Sequence, residues 1–139
     1  MEIRQYCERQ FSKIMQGRVN IRDFVLCKEV RIGSYRLKKT GKLPADLPSA
    51  SLPPAAIVSY KAIARDPRAE PRYGERVPYV VCAGPQAAPL RELVHHPLQF
   101  FRHNKNHNNQ LHLHAVYYIT KLIIPALERL LGLTGLDVR

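Results

Sequence analysis

The residues that could do chemistry in this sequence are cations. Lys28, Arg31, Arg36, Lys38, Lys39 and Lys42 face a single acid, Glu29. A second series, Lys61, Arg65, Arg68, Arg72 and Arg76, is interleaved with Asp66, Glu70 and Glu75. Over all 139 residues, 22 Lys and Arg stand against 11 Asp and Glu, a formal charge of +11. That balance favours polyanionic partners, because each neutralised phosphate releases a condensed counterion and adds sequence-independent affinity. The plainer alternative is a basic domain whose charge serves solubility alone.

The two series differ in what they offer. Lys38, Lys39 and Lys42 read as a solvated run. Lys28 and Arg31 stand in, or at the end of, an otherwise apolar strand, where a charge needs a polyanion or an ion pair, and Glu29 points to the opposite face. The second series has helical spacing, but Pro67 and Pro71 forbid a helix, so its side chains are expected on an extended, proline-stiffened loop. Such a loop loses less entropy on meeting a phosphate backbone. It could equally be balanced internally: five basic and three acidic residues between 61 and 76 leave +2, and both readings stand.

Other chemistry is poorly supplied. The eleven acids are scattered, no D-x-D pair exists, and neither a phosphate-cradling glycine pattern nor G-x-S-x-G occurs, so no catalytic residue is assigned. Six histidines lie between His95 and His114, and the spacing of His103 and His107 suits a metal only on a helix. The Asn-rich tract from 103 to 110 argues for a solvated loop there, and no metal site is assigned. Cys7, Cys27 and Cys82 form no C-x-x-C pair and read as reduced, small core residues of an intracellular protein. No apolar run approaches the roughly 20 residues of a membrane span, and no membrane partner is expected.

The elements that carry these residues can be placed by periodicity and punctuation. Ile3, Cys7, Phe11 and Ile14 predict a helix over about 2–16, stopped by Gly17. Phe24, Leu26 and Val30 predict a strand between Asp23 and Ile32. Residues 34–53, with several prolines and lysines, read as a long, mobile basic loop. Ser51 is the expected cap of a helix over Ala55–Ala64 that Asp66-Pro67 ends. Arg76–Ala83 predicts an antiparallel partner strand, with Pro78 at a sheet edge or strand start. Pro97 starts a short helix through Phe101. From about His114 to Leu131 one apolar stripe of Val116, Ile119, Ile123, Leu127, Leu130 and Leu131 predicts a long helix, kinked near Lys121 by Pro125. The sum is a single helix-rich α+β domain over 1–139, with a small antiparallel β-sheet and a long C-terminal helix.

Asp66–Val81, DPRAEPRYGERVPYVV, resembles the thumb motif of family B DNA polymerases, in which D-P precedes a P-x-x-G-[DE]-R-V-x-Y-V run. Phe24–Val30 is similar to that thumb's strand with its embedded lysine, and Tyr117–Lys121, Pro125, Leu127, Arg129 and Gly135 to its terminal helix. The wording of the motif, with Lys28-Glu29-Val30-Arg31 and Tyr35 upstream, looks more like the zeta branch of the family than its replicative enzymes. The stretch from Leu37 to Ser51 and the Asn/His tract are elaborations on that pattern.

The resemblance implies a thumb that wraps primer-template duplex through phosphate contacts, which fix register without reading sequence. It implies that this sequence is a fragment of a nucleotidyltransferase, inactive alone, in a nuclear enzyme of translesion synthesis and DNA repair. The metals of the whole enzyme, Mg2+ at palm acids and an iron–sulfur or zinc site in a cysteine-rich tail, would lie outside this chain. Its partners would be double-stranded DNA, the palm of the same polymerase and accessory subunits. Lys28, Arg31, Arg68, Arg72, Tyr73 and Arg76 are the implied DNA-binding residues. Tyr73 has a second reading as a residue packed on the sheet, and Arg76 one as a structural partner of Glu75 or Asp66. Against the duplex-binding role stands a different class of function, a non-catalytic protein-interaction or scaffold domain that docks a partner on its final apolar helix.

Overall fold

The computed structural model describes residues 2–34, 52–85, 87–105 and 111–135. They fall into two compact units, Met1–Asp23 with His112–Arg139, and Phe24–Leu111. The basic segment from Tyr35 to Ser51, with Arg36, Lys38, Lys39 and Lys42, lies outside the described residues, as does His107.

In the first unit, helix α1 spans Ile3–Met15 and ends as the glycine demands: Gly17 takes φ +73°, and its N–H bonds the Ile14 carbonyl at 3.1 Å. The last helix is not one continuous α-helix. Short α5, Ala115–Tyr117, passes into a π-helical stretch, Tyr118–Ile123, and then into α6, Ile124–Leu131. The disturbance contains Lys121, the residue whose carbonyl Pro125 deprives of a donor. There the Ile124 N–H reaches back to the Ile119 carbonyl, five residues away. The Thr120 hydroxyl also donates to the Val116 carbonyl at 2.7 Å, a second competitor for the normal ladder. A π turn holds an extra residue, which rotates the succeeding residues around the helix axis by about 100°. The expected single stripe is broken: Ile119 is buried, while Val116 before the π stretch and Leu130 after it are exposed.

The second unit is a three-stranded antiparallel sheet, β1 Leu26–Val30, β2 Glu75–Val81 and β3 Val94–His95, ordered β1-β2-β3. Helix α2, Pro54–Arg65, packs against it. Pro54 opens the helix at its first position and Pro53 stands at the cap, so the cap is not Ser51, which lies outside the described residues. Ala55–Tyr60 are buried without a break, which suits the buried half of a helix. Within that run the Ser59 hydroxyl is satisfied by the Ala55 carbonyl at 2.9 Å. Val30, Ile57, Val80, Val81 and Val94 form the driest part of the core.

Several expectations are corrected here. The strand begins at Leu26 because Ile21–Phe24 close a 3-10 turn, with the Asn20 side chain accepting from the Arg22 N–H at 3.0 Å; Phe24 therefore lies outside the sheet. Pro78 sits in the central strand, opposite Cys27, yet β3 pairs only with Val80 and Val81. At Pro78 the sheet has a neighbour on one side alone, which is why a residue with no N–H is tolerated. Cys82 is buried, but Cys27 is exposed and not a core residue. Short α3, Leu90–Leu93, and two-residue β3 have no periodic signature to read; the Cys82 N–H holds them by bonding the Leu93 carbonyl at 2.8 Å.

Helix α4 runs Pro97–Asn104, three residues beyond Phe101, because Asn104 clamps the backbone of Leu111 as both donor and acceptor at 2.9 and 2.7 Å. His103 is thus helical, and the histidines are not simply a solvated loop. His96 Nδ1 accepts from the Leu98 N–H at 3.1 Å and caps α4; His114 Nδ1 accepts from the Tyr117 N–H at 3.1 Å and caps α5. Among the described residues no helix is long and apolar enough to cross a membrane.

Candidate nucleic-acid interface

β1 is an edge strand, and its register with β2 decides which cations meet. Lys28 faces Val77, Glu29 faces Arg76, and Val30 faces Glu75. Lys28, Glu29, Arg31, Ser34 and Arg76 line one open groove along this ribbon. Neighbouring residues on a strand point to opposite faces, as expected for Lys28 and Glu29. On an uncovered edge, however, long side chains from both faces reach the same groove.

Arg31, one residue past the end of β1, brings its guanidinium within 3.4 Å of the Glu29 carboxylate, with both side chains about half exposed. The expectation that Arg31 lacks Glu29 as a partner is therefore corrected. An exposed pair at this distance holds weakly, so a phosphate can compete for the guanidinium. Just past Arg31 the chain turns through Gly33, at φ +93°, and the Ser34 hydroxyl donates to the Arg31 carbonyl at 2.6 Å. Ser34 is the groove residue that sequence reading passed over; the Gly-Ser pair ending the strand was its one signal.

The motif from Asp66 enters the same ribbon. Asp66 accepts from the Arg68 backbone N–H at 3.0 Å and from its guanidinium at 3.2 and 3.3 Å, closing a short 3-10 turn, Pro67–Ala69. The Arg68 side chain, with its backbone N–H, holds the Asp66 carboxyl below its ordinary range. Arg68 is thus engaged within its own turn and does not line the groove. Arg72 and Tyr73 lead into a tight turn at Gly74, φ +81°, whose N–H bonds the Val30 carbonyl at 2.8 Å. That bond sets the turn beside the end of β1. Tyr73 is 72% exposed, so it does not pack on the sheet. Among the described residues neither Lys28 nor Arg72 has an ion-pair partner. Arg76 pairs with neither Glu75 nor Asp66; its guanidinium donates to the Cys27 carbonyl at 3.1 Å.

Lys61 and Arg65 do not belong to the loop. Both are on α2, which runs to Arg65, because the prolines act only after the helix has ended. Lys61 is half-buried and donates to the Val94 carbonyl at 3.0 Å; burial, then the charge of Arg65, pulls its ammonium below the usual lysine range. Burial pushes the Cys82 thiol up to about 12, which leaves it chemically inert.

Among the described residues no cluster of three or more His, Cys, Asp or Glu side chains could hold a metal ion. What the ribbon can do chemically is present cations, one aromatic ring and few acids to a polyanion.

Known proteins point the same way as the motif. The model of the family DNA polymerase family B matches residues 1–133. The DNA polymerase zeta catalytic subunit of Arabidopsis thaliana is 43% identical over 137 residues, 99% of this chain and 7% of that protein. The corresponding subunit of Saccharomyces cerevisiae is 38% identical over 99% of this chain and 8% of its own length. That of Homo sapiens is 40% identical over 98% and 4%. The chain therefore spans less than a tenth of the length of these relatives. With a family match over nearly its whole length and a helix-rich α+β fold around an antiparallel sheet, the chain belongs to the family B DNA polymerases.

Proposed function

We infer that this chain is the thumb of a zeta-type polymerase and grips primer-template duplex through its phosphates. The observation that carries this reading is the groove along the β1–β2 ribbon, which gathers Lys28, Arg31 and Arg76 beside the Arg72–Tyr73 turn. A guanidinium presents a fork of donors to a phosphate and an ammonium a mobile point charge, and neither reads a base from there. The grip is consequently sequence-independent, as extension past damaged or mismatched primer ends requires. Nucleotidyl transfer would belong to Mg2+-binding palm acids elsewhere in the full enzyme, as would an iron–sulfur or zinc site, leaving this chain inactive alone. The palm and accessory subunits would be its protein partners, and the nucleus its place of work.

The test is binding of a fluorescent primer-template to the 139-residue chain as salt is raised. Expected is a fall in log K that is linear in log salt, with a slope of about −0.9 per phosphate contact and little change when the duplex sequence is altered. Salt-independent binding, or none to duplex, overturns the reading. One observation favours the scaffold alternative: Leu130 on α6 and Leu133 in the 3-10 turn that follows it are 69% and 91% exposed. Capture of a partner that survives nuclease and high salt and is lost on changing both leucines to serine would support it.

A further inference from the structure

A second groove lies in the Phe24–Leu111 unit, between α2 and α4, and none of the proposed duplex contacts lines it. From α2 it takes Val58, Lys61, Ala62 and Arg65, spaced i, i+3, i+4, i+7, so one whole stripe of the helix faces it. From α4 it takes Leu98, Gln99 and Arg102, which again share a helix face. The floor is apolar and the rim cationic, and no carboxylate lines it among the described residues. Leu98 is 59% exposed there, an apolar side chain with no cover on a helix that otherwise buries Phe100.

Three features restrict what fits. The cations are positioned: the Lys61 ammonium is fixed to the Val94 carbonyl at 3.0 Å with donors to spare, and Arg65 stands one turn further along. Their charge is not neutralised in place, since no ion pair engages Lys61, Arg65 or Arg102 among the described residues. Val58, Ala62, Val94 and Leu98 line the groove with the cations and ask for an apolar side chain, which a phosphate backbone does not supply. A second copy of this chain, itself at +11, would bring like charge against like.

We propose that the α2–α4 groove docks an acidic amphipathic helix of a partner protein, its leucine-like side chains on Val58, Ala62 and Leu98 and its carboxylates on Lys61, Arg65 and Arg102. Helix α2, about 18 Å long at 1.5 Å per residue, offers a wall of about three turns, enough for anchors at i, i+3 and i+7 of a docked helix. This inference stands apart from the duplex grip, which uses the β1–β2 ribbon.

The test uses the whole chain and a fluorescein-labelled helical peptide of about 16 residues with leucines at i, i+3, i+4 and i+7 and glutamates flanking them. Binding is followed by anisotropy at about 0.15 M salt. A peptide with serine for each leucine and a primer-template duplex serve as comparisons. Expected are loss of roughly tenfold or more in peptide affinity for Leu98→Ser and for Arg102→Glu, a similar loss for the serine peptide, and no loss for Lys28→Ala. Both altered residues are exposed, and an unchanged Tm verifies the fold. Equal binding of the two peptides, insensitivity to Leu98→Ser, or displacement of the peptide by duplex with the same variant profile would each overturn the proposal, the last by making the groove a nucleic-acid surface. Loss of duplex binding with peptide binding retained would sink the grip alone.

Discussion

Arg76 reaches diagonally across β1 and donates from its guanidinium to the Cys27 carbonyl oxygen at 3.1 Å, though its direct cross-strand neighbour is Glu29. Strand carbonyls alternate between the two edges, and that of Val30 turns toward β2 to accept from the Gly74 N–H. The Cys27 carbonyl, an odd number of residues away, turns to the open edge. Arg76 thus occupies an acceptor on an edge that would otherwise invite another strand, and it keeps further N–H donors for a phosphate.

The cations of the ribbon should not contribute equally to duplex binding. Lys28→Ala and Arg72→Ala, which remove unpaired charges, should each lower the salt slope by roughly 0.9. Arg68→Ala should lower it less, because Asp66 already holds that guanidinium at two points. Anisotropy titrations of the three variants on one primer-template decide the order. A greater loss from Arg68→Ala than from Arg72→Ala would refute this assignment.

The Gly74 turn couples the motif loop to β1 and is strained for any side chain. At φ +81°, with nothing within 4 Å of the position a Cβ would take, Gly74→Ala should cost backbone energy alone, roughly 1–2 kcal/mol. Urea denaturation measures it. A cost well below that range would mean that the turn relaxes and that the Gly74–Val30 bond is dispensable.

The core and the helical surface should respond differently to truncation. Ile57 is 1% exposed in the centre of α2, and Ile57→Ala should destabilise the chain by roughly 2–5 kcal/mol. Val116, half exposed in the turn before the π stretch, should tolerate alanine within about 0.5 kcal/mol. Comparable losses at the two positions would show that Val116 is covered in solution.

Acid should weaken the second unit through His95 and His96. Burial, and then Lys61, keeps the His95 imidazole below its ordinary 6.5, although a Gln99 bond opposes this; burial, and then Arg102, does the same for His96. The unfolded chain therefore takes up the proton first. Stability from these groups is complete above about pH 6.5 and is lost as pH falls through the folded-state values. Protonation at Nδ1 would also end the cap that His96 provides for Leu98. Melting temperatures from about pH 7.5 to 5 should fall, and His96→Asn, which keeps a capping acceptor, should flatten the fall. An unchanged slope in that variant would assign the acid sensitivity elsewhere.

Much of the fold was legible because its signals are local. Gly17 permits the left-handed φ that stops α1, while Pro54 and Pro97 fix φ and lack a donor, so the end of α1 and the starts of α2 and α4 follow from residue type. The pairing of β1 with β2 follows from two β-rich runs, and Pro125 marked the place where the last helix departs from α geometry. The motif from Asp66 to Val81 carried the family.

The basic charge and the order of the elements are thus properties of the sequence alone, since each rests on residue type and spacing. Which cations act together is not, because side-chain direction depends on register, on strand edges and on where a helix stops. Tertiary structure put Lys28, Arg31 and Arg76 in one groove, tied Arg68 to Asp66, and turned Lys61 and Arg65 toward α4. A series that reads as one row of charges in the chain became separate surfaces because Asp66 and Pro67 end α2 before the row is complete.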